Sequence, residues 1–332
     1  MIAVGLIANP ASGRDIRRLV AHGSVFDNDE KVSIVRRALT GLEAVGVERV
    51  WVMPDSFGIG RKALDGLGLR LAVSMLPMPV TFTQEDSTRA AALLVQGGVG
   101  CIVTLGGDGT NRAVAKASGD VPLVPVSTGT NNVIPTMVDG TVAGLAAGLV
   151  ARGLAPDAVR TLPRLDVIRL DAAADLALVD VALYDECFVA SRAIWDAAKI
   201  REVVLTRAVP GSIGLSSIGA HLPDAARRDG HGLYLRVGEG GRPVLAPIGP
   251  GLVREVRLAE TRLLAPGDEV VIRRAHPAVL ALDGEREIEL APGARVVVRL
   301  NAHGPRVVDV RRAMELAAAA GVFVEPRLGA PA

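Results

Sequence analysis

Aromatic residues are few in this 332-residue sequence and the net charge is small, and both features argue against one class of function. Aromatic residues make up 3%, too few for the stacking platforms that hold single-stranded nucleic acid. The 37 basic residues are balanced by 36 acidic ones, so a net charge of +1 leaves no basic excess to pair with phosphates along a nucleic acid. We therefore expect no nucleic acid among the partners.

Cysteines and long apolar runs are also lacking. The two cysteines, Cys101 and Cys187, exclude a disulfide scaffold and a cysteine-based zinc site, and they fit a reducing compartment. No apolar run approaches the roughly 20 residues that a membrane span needs. The first eight residues have no basic segment, so they predict a buried strand rather than a signal peptide. We expect a cytoplasmic protein with no membrane span.

Apolar runs alternate with helical patterns in the first half of the chain. Helical spacing of apolar residues occurs at 30–45 and 83–96. The strand candidates lie between such segments, at 2–8, 50–54, 70–76, 101–105 and 122–126. This alternation predicts an α/β domain with a parallel, Rossmann-like sheet that is covered on both faces.

The second half contains short β-type runs separated by turns rich in glycine and proline. This pattern predicts a β-rich, antiparallel, sandwich-like domain. Helices are predicted over roughly 191–206 and 310–320. We expect an α/β nucleotide-binding domain at 1–155 and a β-rich substrate or oligomerisation domain at 156–309. A C-terminal segment at 310–332 would pack its helix back on the first domain.

The strongest chemical signal is a glycine-rich turn between a predicted strand and a predicted helix. Glycines let a backbone turn sharply and approach a ligand closely, and a helix N-terminus favours phosphate. Asp108 would be a catalytic carboxylate there, as a general base or a partner of Mg²⁺. The alternative is a tight turn in which Asp108 only caps the helix. The turn consists of Gly106, Gly107, Asp108, Gly109 and Thr110.

Two further loops follow strands of the same predicted sheet. Ligands bind at the carboxyl ends of strands in open α/β sheets, so three such loops together predict a site for nucleotide phosphates. Neither a Walker A loop nor a G-x-G-x-x-G fingerprint occurs at these turns. The candidate phosphate-binding residues are Asn9, Ser12, Gly13 and Arg14 in the first loop and Thr128, Gly129, Thr130 and Asn131 in the other.

These three motifs resemble the superfamily of NAD kinases and diacylglycerol kinases. Within that superfamily, the chain is most similar to the ATP-NAD kinase-like proteins of acetoin catabolism. The resemblance implies an α/β N-terminal domain, a β-rich C-terminal domain and a nucleotide cleft between them. It also implies ATP as phosphoryl donor with Mg²⁺, and a homodimer or homotetramer. Polyphosphate is the alternative donor.

Three segments of the second half resemble site segments of the same superfamily. Asp185 and Glu186 stand where NAD kinases have Leu-Asn-Glu, and Gly211 and Ser212 belong to a segment similar to their Thr-Pro-Thr-Gly-Ser motif. The resemblance places these four residues at the acceptor. Glu285 follows Asp-Gly, and in the lipid-kinase branch this glutamate is a proposed catalytic base. An ordinary β-hairpin is the alternative for that turn.

The resemblance implies a kinase that moves the γ-phosphoryl group of ATP to a hydroxyl group. The first-choice acceptor is the 2′-hydroxyl of the adenosine ribose of NAD, with a link to acetoin catabolism. Three departures leave the acceptor open: Asp185 replaces an expected Asn, the loop at 128–131 is closer to lipid kinases, and Gly214 stands near the place of a tyrosine that the chain lacks. One alternative is a kinase of another hydroxyl metabolite or a lipid. The other is a non-catalytic regulatory protein that binds NAD or ATP.

Overall fold

A computed structural model of the chain describes residues 1–13, 26–129, 132–169, 173–187, 196–223 and 230–324. Two architectures succeed one another along this sequence. The first half forms a mostly parallel sheet with helices on both faces, and most of the second half forms two antiparallel sheets. The predicted fold class is confirmed. No helix in the described ranges is long and apolar enough to cross a lipid bilayer.

The first sheet has seven strands in the order β3-β2-β1-β4-β5-β17-β6. The five strands β1 to β5 are mutually parallel, β17 runs parallel to β5, and β6 is antiparallel to β17. Strands β1, β4 and β5 are buried along their whole length, as expected for a sheet covered on both faces. The strands are β1 (Ala3–Ala8), β2 (Arg49–Val52), β3 (Ala72–Met75), β4 (Cys101–Gly106), β5 (Leu123–Ser127), β6 (Val159–Thr161) and β17 (Arg306–Val308).

Helices cover both faces of this sheet. Alternate residues of β1 point to different cores: Leu6 packs towards α1 and α5, and Ile7 packs towards α3. Helices α1 and α5 lie close together, because a Cβ on Gly144 of α5 would collide with the Ala38 carbonyl of α1. The helices are α1 (Asn28–Ala44), α2 (Ile59–Leu64), α3 (Glu85–Gln96), α4 (Asp108–Ala115), α5 (Gly140–Ala151), α6 (Ser216–Ala220) and α7 (Val310–Ala319).

The second half builds a six-stranded sheet, β12-β11-β10-β9-β14-β15, and a four-stranded sheet, β13-β16-β7-β8. The sheets share an apolar core in which Val167 and Val298 of one sheet meet Leu280 of the other. Helix α6 packs on the other face of the larger sheet through Ile218. The strands are β7 (Arg164–Arg169), β8 (Asp175–Ala177), β9 (Asp180–Tyr184), β10 (Ile200–Leu205), β11 (Gly232–Gly249), β12 (Leu252–Leu264), β13 (Glu269–Arg273), β14 (Ala278–Leu282), β15 (Glu285–Leu290) and β16 (Arg295–Asn301).

The helix predicted over 191–206 is wrong for the part that the structure describes. A single 3₁₀ turn at Ala197–Lys199 is followed by strand β10. Strand β10 pairs with β9 on one side and with β11 on the other. Pairing on both edges and burial of its apolar residues therefore determine the conformation of this segment, in preference to its helical spacing.

The two predicted domains are joined by more than one crossing of the chain. Strands β6 and β17, which lie at the two ends of the predicted second domain, both belong to the first sheet. Helix α7 buries Ala313 and Ala317 in the same core as α5. The division at residues 155 and 309 remains a prediction, and both ends of the β-rich part are anchored on the α/β part.

Candidate active site

Three loops meet at the carboxyl ends of β1, β4 and β5, which are neighbours in the sheet. Asn9, directly after β1, donates a hydrogen bond from Nδ2 to Oγ1 of Thr110 at 2.9 Å. Thr128, directly after β5, donates from Oγ1 to Oγ of Ser12 at 2.9 Å. Side-chain hydrogen bonds therefore join the first loop to each of the other two.

Lys31 of α1 fixes the backbone of the first loop through hydrogen bonds. This buried side chain donates from Nζ to the backbone carbonyl of Ser12 at 2.7 Å and to that of Asn9 at 3.0 Å. Oδ1 of Asn28 accepts a further hydrogen bond from Nζ at 2.9 Å. Lys31 was not predicted from the sequence, although it stands three and four residues before Ile34 and Val35 and so shares the apolar face of α1 that they form.

Close packing explains the glycines of the second loop. A Cβ on Gly107 would lie 2.8 Å from Oδ1 of Asn132, and a Cβ on Gly106 would collide with the side chain of Thr110. Nδ2 of Asn111 donates to the Gly107 carbonyl at 2.9 Å, which ties the turn to the helix that follows. The turn therefore lies tightly against both the loop after β5 and the first turn of α4.

Asp108 is the first residue of α4 and is 7% exposed. Its side chain does not cap its own helix, whose N-cap is Gly107 without a side-chain hydrogen bond. Instead Oδ2 accepts from the backbone N–H of Val133 at 2.9 Å, and Oδ1 accepts from that of Ile134 at 2.8 Å. Asp108 thus fixes the loop after β5 against the N-terminus of α4.

Glu285, the other predicted catalytic carboxylate, reaches the same helix terminus. A Cβ on Gly109 would lie 3.5 Å from each of its two carboxylate oxygens. Strand β15 begins at Glu285, so the β-rich part of the chain delivers this carboxylate. The structure places Asp108, Gly109 and Glu285 together, although 175 residues separate Gly109 from Glu285 in sequence.

A small cavity of about 20 Å³ lies between the two halves of the chain at this point. Asp108 and Val133 line it from the α/β side, and Asp180, Asp283 and the segment 213–215 line it from the β-rich side. Gly211 and Ser212 directly precede this segment. The Ser212 hydroxyl donates to the Val209 carbonyl at 2.7 Å, within its own turn. The predicted acceptor segment therefore approaches Asp108 through residues 213–215.

Asp283 is a second buried carboxylate of the site. It belongs to the Asp-Gly turn before Glu285, and no role was predicted for it from the sequence. Its backbone has a φ of 53°, in the left-handed region. Oδ1 accepts from the backbone N–H of Leu178 at 2.9 Å and of Val179 at 2.8 Å. Burial raises the pKa of Asp283 to about 7, the Arg112 cation opposes this rise, and the Asp108 charge adds to it.

Arg112 lies one turn after Asp108 in α4 and is 1% exposed. Its Nη2 donates to Oε1 of Glu287 at 2.8 Å, and its Nε lies 3.7 Å from Oδ2 of Asp283. Nη1 lies 3.9 Å from Oδ2 of Asp175. Burial lowers the pKa of Arg112, but the charges of Asp283, Glu287 and Asp175 outweigh that effect and raise it above its ordinary value. Acidic side chains of β8, of the turn before β15 and of β15 itself thus surround the guanidinium group of Arg112.

The other predicted acceptor residues, Asp185 and Glu186, form ion pairs within the β-rich part of the chain. Asp185 forms ion pairs with Arg201 and Arg274, each at 2.8 Å, and Glu186 pairs with Lys199 at 2.7 Å. Burial raises the pKa of Asp185, but hydrogen bonds from the two arginines lower it below its ordinary value overall. Asp180, at the start of β9, lines the cavity, whereas Asp185 lies five residues further along, roughly 17 Å away. Asp185 and Glu186 do not line the small cavity, and their role at the acceptor stays a prediction.

Three predicted phosphate-binding residues lie outside the described part of the chain: Arg14, Thr130 and Asn131. Gly13 and Gly129, which adjoin them, are described. A Cβ on Gly13 would lie 2.7 Å from the Thr128 carbonyl, and Gly129 accepts a hydrogen bond from Ser127 at its carbonyl. Among the described residues, no group of three or more His, Cys, Asp or Glu side chains could hold a metal ion by itself.

Comparisons with known sequences cover both halves of the chain. Residues 4–154 match the family model of the ATP-NAD kinase N-terminal domain. Residues 163–303 match the model of the acetoin catabolism protein X C-terminal domain. Acetoin catabolism protein X of Cupriavidus necator is 41% identical over 302 residues, which are 86% of this chain and 84% of that protein.

Solved structures with a similar fold are more distant. Yeast NADH kinase complexed with NADH is 13% identical with a TM-score of 0.48, over 98% of this chain and 89% of that one. A proposed diacylglycerol kinase from Bacillus anthracis is 14% identical with a TM-score of 0.47, over 92% and 97%. An NAD kinase from Archaeoglobus fulgidus in complex with ATP is 13% identical with a TM-score of 0.41, over 96% and 98%.

Proposed function

The chain belongs to the acetoin catabolism protein X family, and we propose that it is a kinase that transfers the γ-phosphoryl group of ATP to a hydroxyl group. One observation carries this proposal. The loops after β1, β4 and β5 are hydrogen-bonded to one another around the N-terminus of α4, with Asp108 buried among them. The family model matched by residues 4–154 supports nucleotide binding by this half of the chain.

Phosphoryl transfer requires positioning and charge neutralisation more than covalent chemistry. The N-terminus of α4 supplies backbone N–H groups that have no acceptor within the helix, together with the positive end of a helix dipole. The glycines at 106 and 107 keep side chains away from this terminus. In our proposal, the donor phosphates lie against these N–H groups, between the first and third loops.

Asp108 would accept the proton of the attacking hydroxyl. A carboxylate has about four lone-pair sites, and backbone N–H groups hold both oxygens of Asp108 in fixed positions. Such fixation favours a base that acts on a substrate in a defined pose. Glu285, close to Gly109, would be the second carboxylate at the reaction centre.

Mg²⁺ would arrive with the nucleotide. This cation is usually bound by one or two carboxylates together with substrate phosphates. Asp108 and Glu285 offer oxygen ligands of this kind beside the N-terminus of α4, so the residues present fit the cation. When bound, Mg²⁺ would neutralise charge on the donor phosphates.

NAD is our first-choice acceptor, through the 2′-hydroxyl of its adenosine ribose. The match of residues 4–154 to the ATP-NAD kinase model supports this choice. A second candidate is a kinase of another hydroxyl metabolite or a lipid. The ion pairs of Asp185 favour that candidate, because Arg201 and Arg274 already pair with the side chain that was expected to contact NAD. The cytoplasmic location, the homodimer or homotetramer and the link to acetoin catabolism remain predictions.

Release of ADP from ATP in the presence of Mg²⁺ and different acceptors would test the proposal. We expect NAD to stimulate ADP release and to yield NADP in a coupled assay. Stimulation by a diol or by diacylglycerol in micelles, without NADP formation, would identify the second candidate. If ATP raises the melting temperature but no acceptor stimulates ADP release, the chain would be a nucleotide-binding regulatory protein instead.

A further inference from the structure

Arg207 begins the segment that leads from β10 to the cavity beside Asp108. The preceding residue, Thr206, donates from its backbone N–H to the Val179 carbonyl at 3.0 Å and from Oγ1 to the Leu178 carbonyl at 2.9 Å. Val179 lines the cavity, and residues 213–215 line it as well. The backbone directly before Arg207 is therefore anchored beside Val179, on the β-rich side of the cavity.

The guanidinium of Arg207 is half-buried, and no carboxylate in the described ranges forms an ion pair with it. Within the ranges that the structure describes, it forms neither a hydrogen bond nor an ion pair. Burial lowers the pKa of Arg207, the charge of Arg160 lowers it further, and the charge of Asp108 raises it. Arg207 thus lies within electrostatic reach of Asp108 and of a second cation on β6.

Two carboxylates that line the cavity, Asp108 and Asp283, are already engaged by the backbone. Both oxygens of Asp108 accept from the N–H groups of Val133 and Ile134, and Oδ1 of Asp283 accepts from that of Val179. A half-buried cation beside a like charge is unfavourable unless an anion compensates for it. A bound ligand is the natural source of that anion.

We propose that Arg207, with Arg160 as a second positive charge, binds the phosphate group that lies against Asp108. The inference rests on the proposed function, and it assigns a ligand class to the β-rich side of the cleft: the terminal phosphate of a nucleoside polyphosphate. A guanidinium presents two parallel N–H donors, which match phosphate oxygens. The cavity has room for about one water, so one phosphate oxygen fits in it, and the rest of the group lies outside.

Calorimetric titration of the full chain with MgATP, inorganic pyrophosphate and adenosine tests the proposal. In Arg207→Gln we expect the affinity for MgATP and pyrophosphate to fall roughly 10- to 100-fold, because hydrogen bonds between charged groups are strong. Adenosine should bind Arg207→Gln and the wild type equally. Arg160→Gln should weaken pyrophosphate binding less, by about 2- to 5-fold, because its side chain is exposed.

Two further variants separate binding from folding. Arg311→Gln changes an exposed arginine of α7 and should bind all three ligands like the wild type. Arg207→Lys keeps the charge but loses the fork of donors, so we expect weaker pyrophosphate binding at an unchanged melting temperature. This variant decides the question if Arg207→Gln does not fold.

The outcomes distinguish this inference from the proposed function. If the wild type binds MgATP and pyrophosphate and the Arg207 variants bind them equally well, Arg207 does not hold a phosphate, and the kinase proposal is unaffected. If the wild type binds neither compound, both proposals are wrong.

Discussion

At the scale of single residues, backbone N–H groups hold the carboxylates of the site. Asp108 is fixed by Val133 and Ile134, and Asp283 is fixed by Leu178 and Val179. The two side chains nevertheless differ in their environment. Asp283 is fully buried and feels the negative charge of Asp108, so its ionised form is disfavoured. This difference has a measurable effect on stability.

The pKa of Asp283 is about 7 in the folded protein and 3.8 ordinarily. The folded state therefore binds a proton on Asp283 more tightly than the unfolded state does. The protonated carboxyl stabilises the folded state, and this stabilisation is lost as the pH rises from about 4 to about 7. Between these values, Asp283 should lower the free energy of unfolding by up to about 1.4 kcal/mol per pH unit. Urea denaturation from pH 4.5 to 8 should show this fall, and Asp283→Asn should remove it. Equal pH slopes in the two proteins would contradict the assignment.

Gly13 stands where the first and third loops touch. Its φ is +73°, and a Cβ would lie 2.7 Å from the Thr128 carbonyl. We expect Gly13→Ala to destabilise the protein by about 1–3 kcal/mol and to weaken MgATP binding, because the loops must separate. Gly68→Ala is the matched control, since nothing lies within 4 Å of a Cβ there. Urea denaturation and calorimetry would measure both effects, and equal behaviour of the two variants would show that the loops are not packed as described.

At the scale of elements, α4 connects the nucleotide loops to the β-rich part. Its first residue, Asp108, faces the loop after β5, and Arg112, four residues later, lies on the same side of the helix. Arg112 is surrounded by Asp175 of β8, by Asp283 and by Glu287 of β15. The charges of these side chains hold α4 in place relative to both sheets of the β-rich part.

Arg112→Met tests that connection. Removing the cation leaves three acidic side chains without their shared partner, and loss of one member of a buried ion pair typically costs about 3–5 kcal/mol. Arg311→Met is the control, because Arg311 is 90% exposed and its ion pair with Glu315 should contribute less than about 1 kcal/mol. Both free energies of unfolding can be measured with urea. A similar small loss in both variants would mean that α4 is held by apolar packing alone.

At the scale of the whole molecule, the fold class and the three loops could be predicted from the sequence. Apolar runs of strand length alternate with helical spacing in the first half, and glycine-rich turns follow the runs. Strand β10 could not be predicted, because Ile200, Val203 and Val204 fit helical spacing as well as a buried strand. The distinction depends on β9 and β11, which pair with β10 only in the folded chain.

The contacts of Arg112 were equally inaccessible from local patterns. Its three acidic partners lie 63, 171 and 175 residues further along the chain, at positions 175, 283 and 287. The ion pairs of Asp185 with Arg201 and Arg274 likewise join residues that are distant in sequence and that meet only when the sheets pack. Motifs in the sequence could predict which residues carry chemistry, but only the folded chain determines which charges meet.

The central claim is that Asp108 takes part in phosphoryl transfer at the N-terminus of α4. The most direct test compares the turnover of the wild type and of Asp108→Asn, with MgATP and the acceptor that stimulates ADP release. We predict that Asp108→Asn lowers turnover by about 10²- to 10⁴-fold while the protein remains folded. Asp120→Asn, a change at an exposed residue of the loop after α4, should retain wild-type turnover. A folded Asp108→Asn protein with turnover close to that of the wild type would contradict the claim.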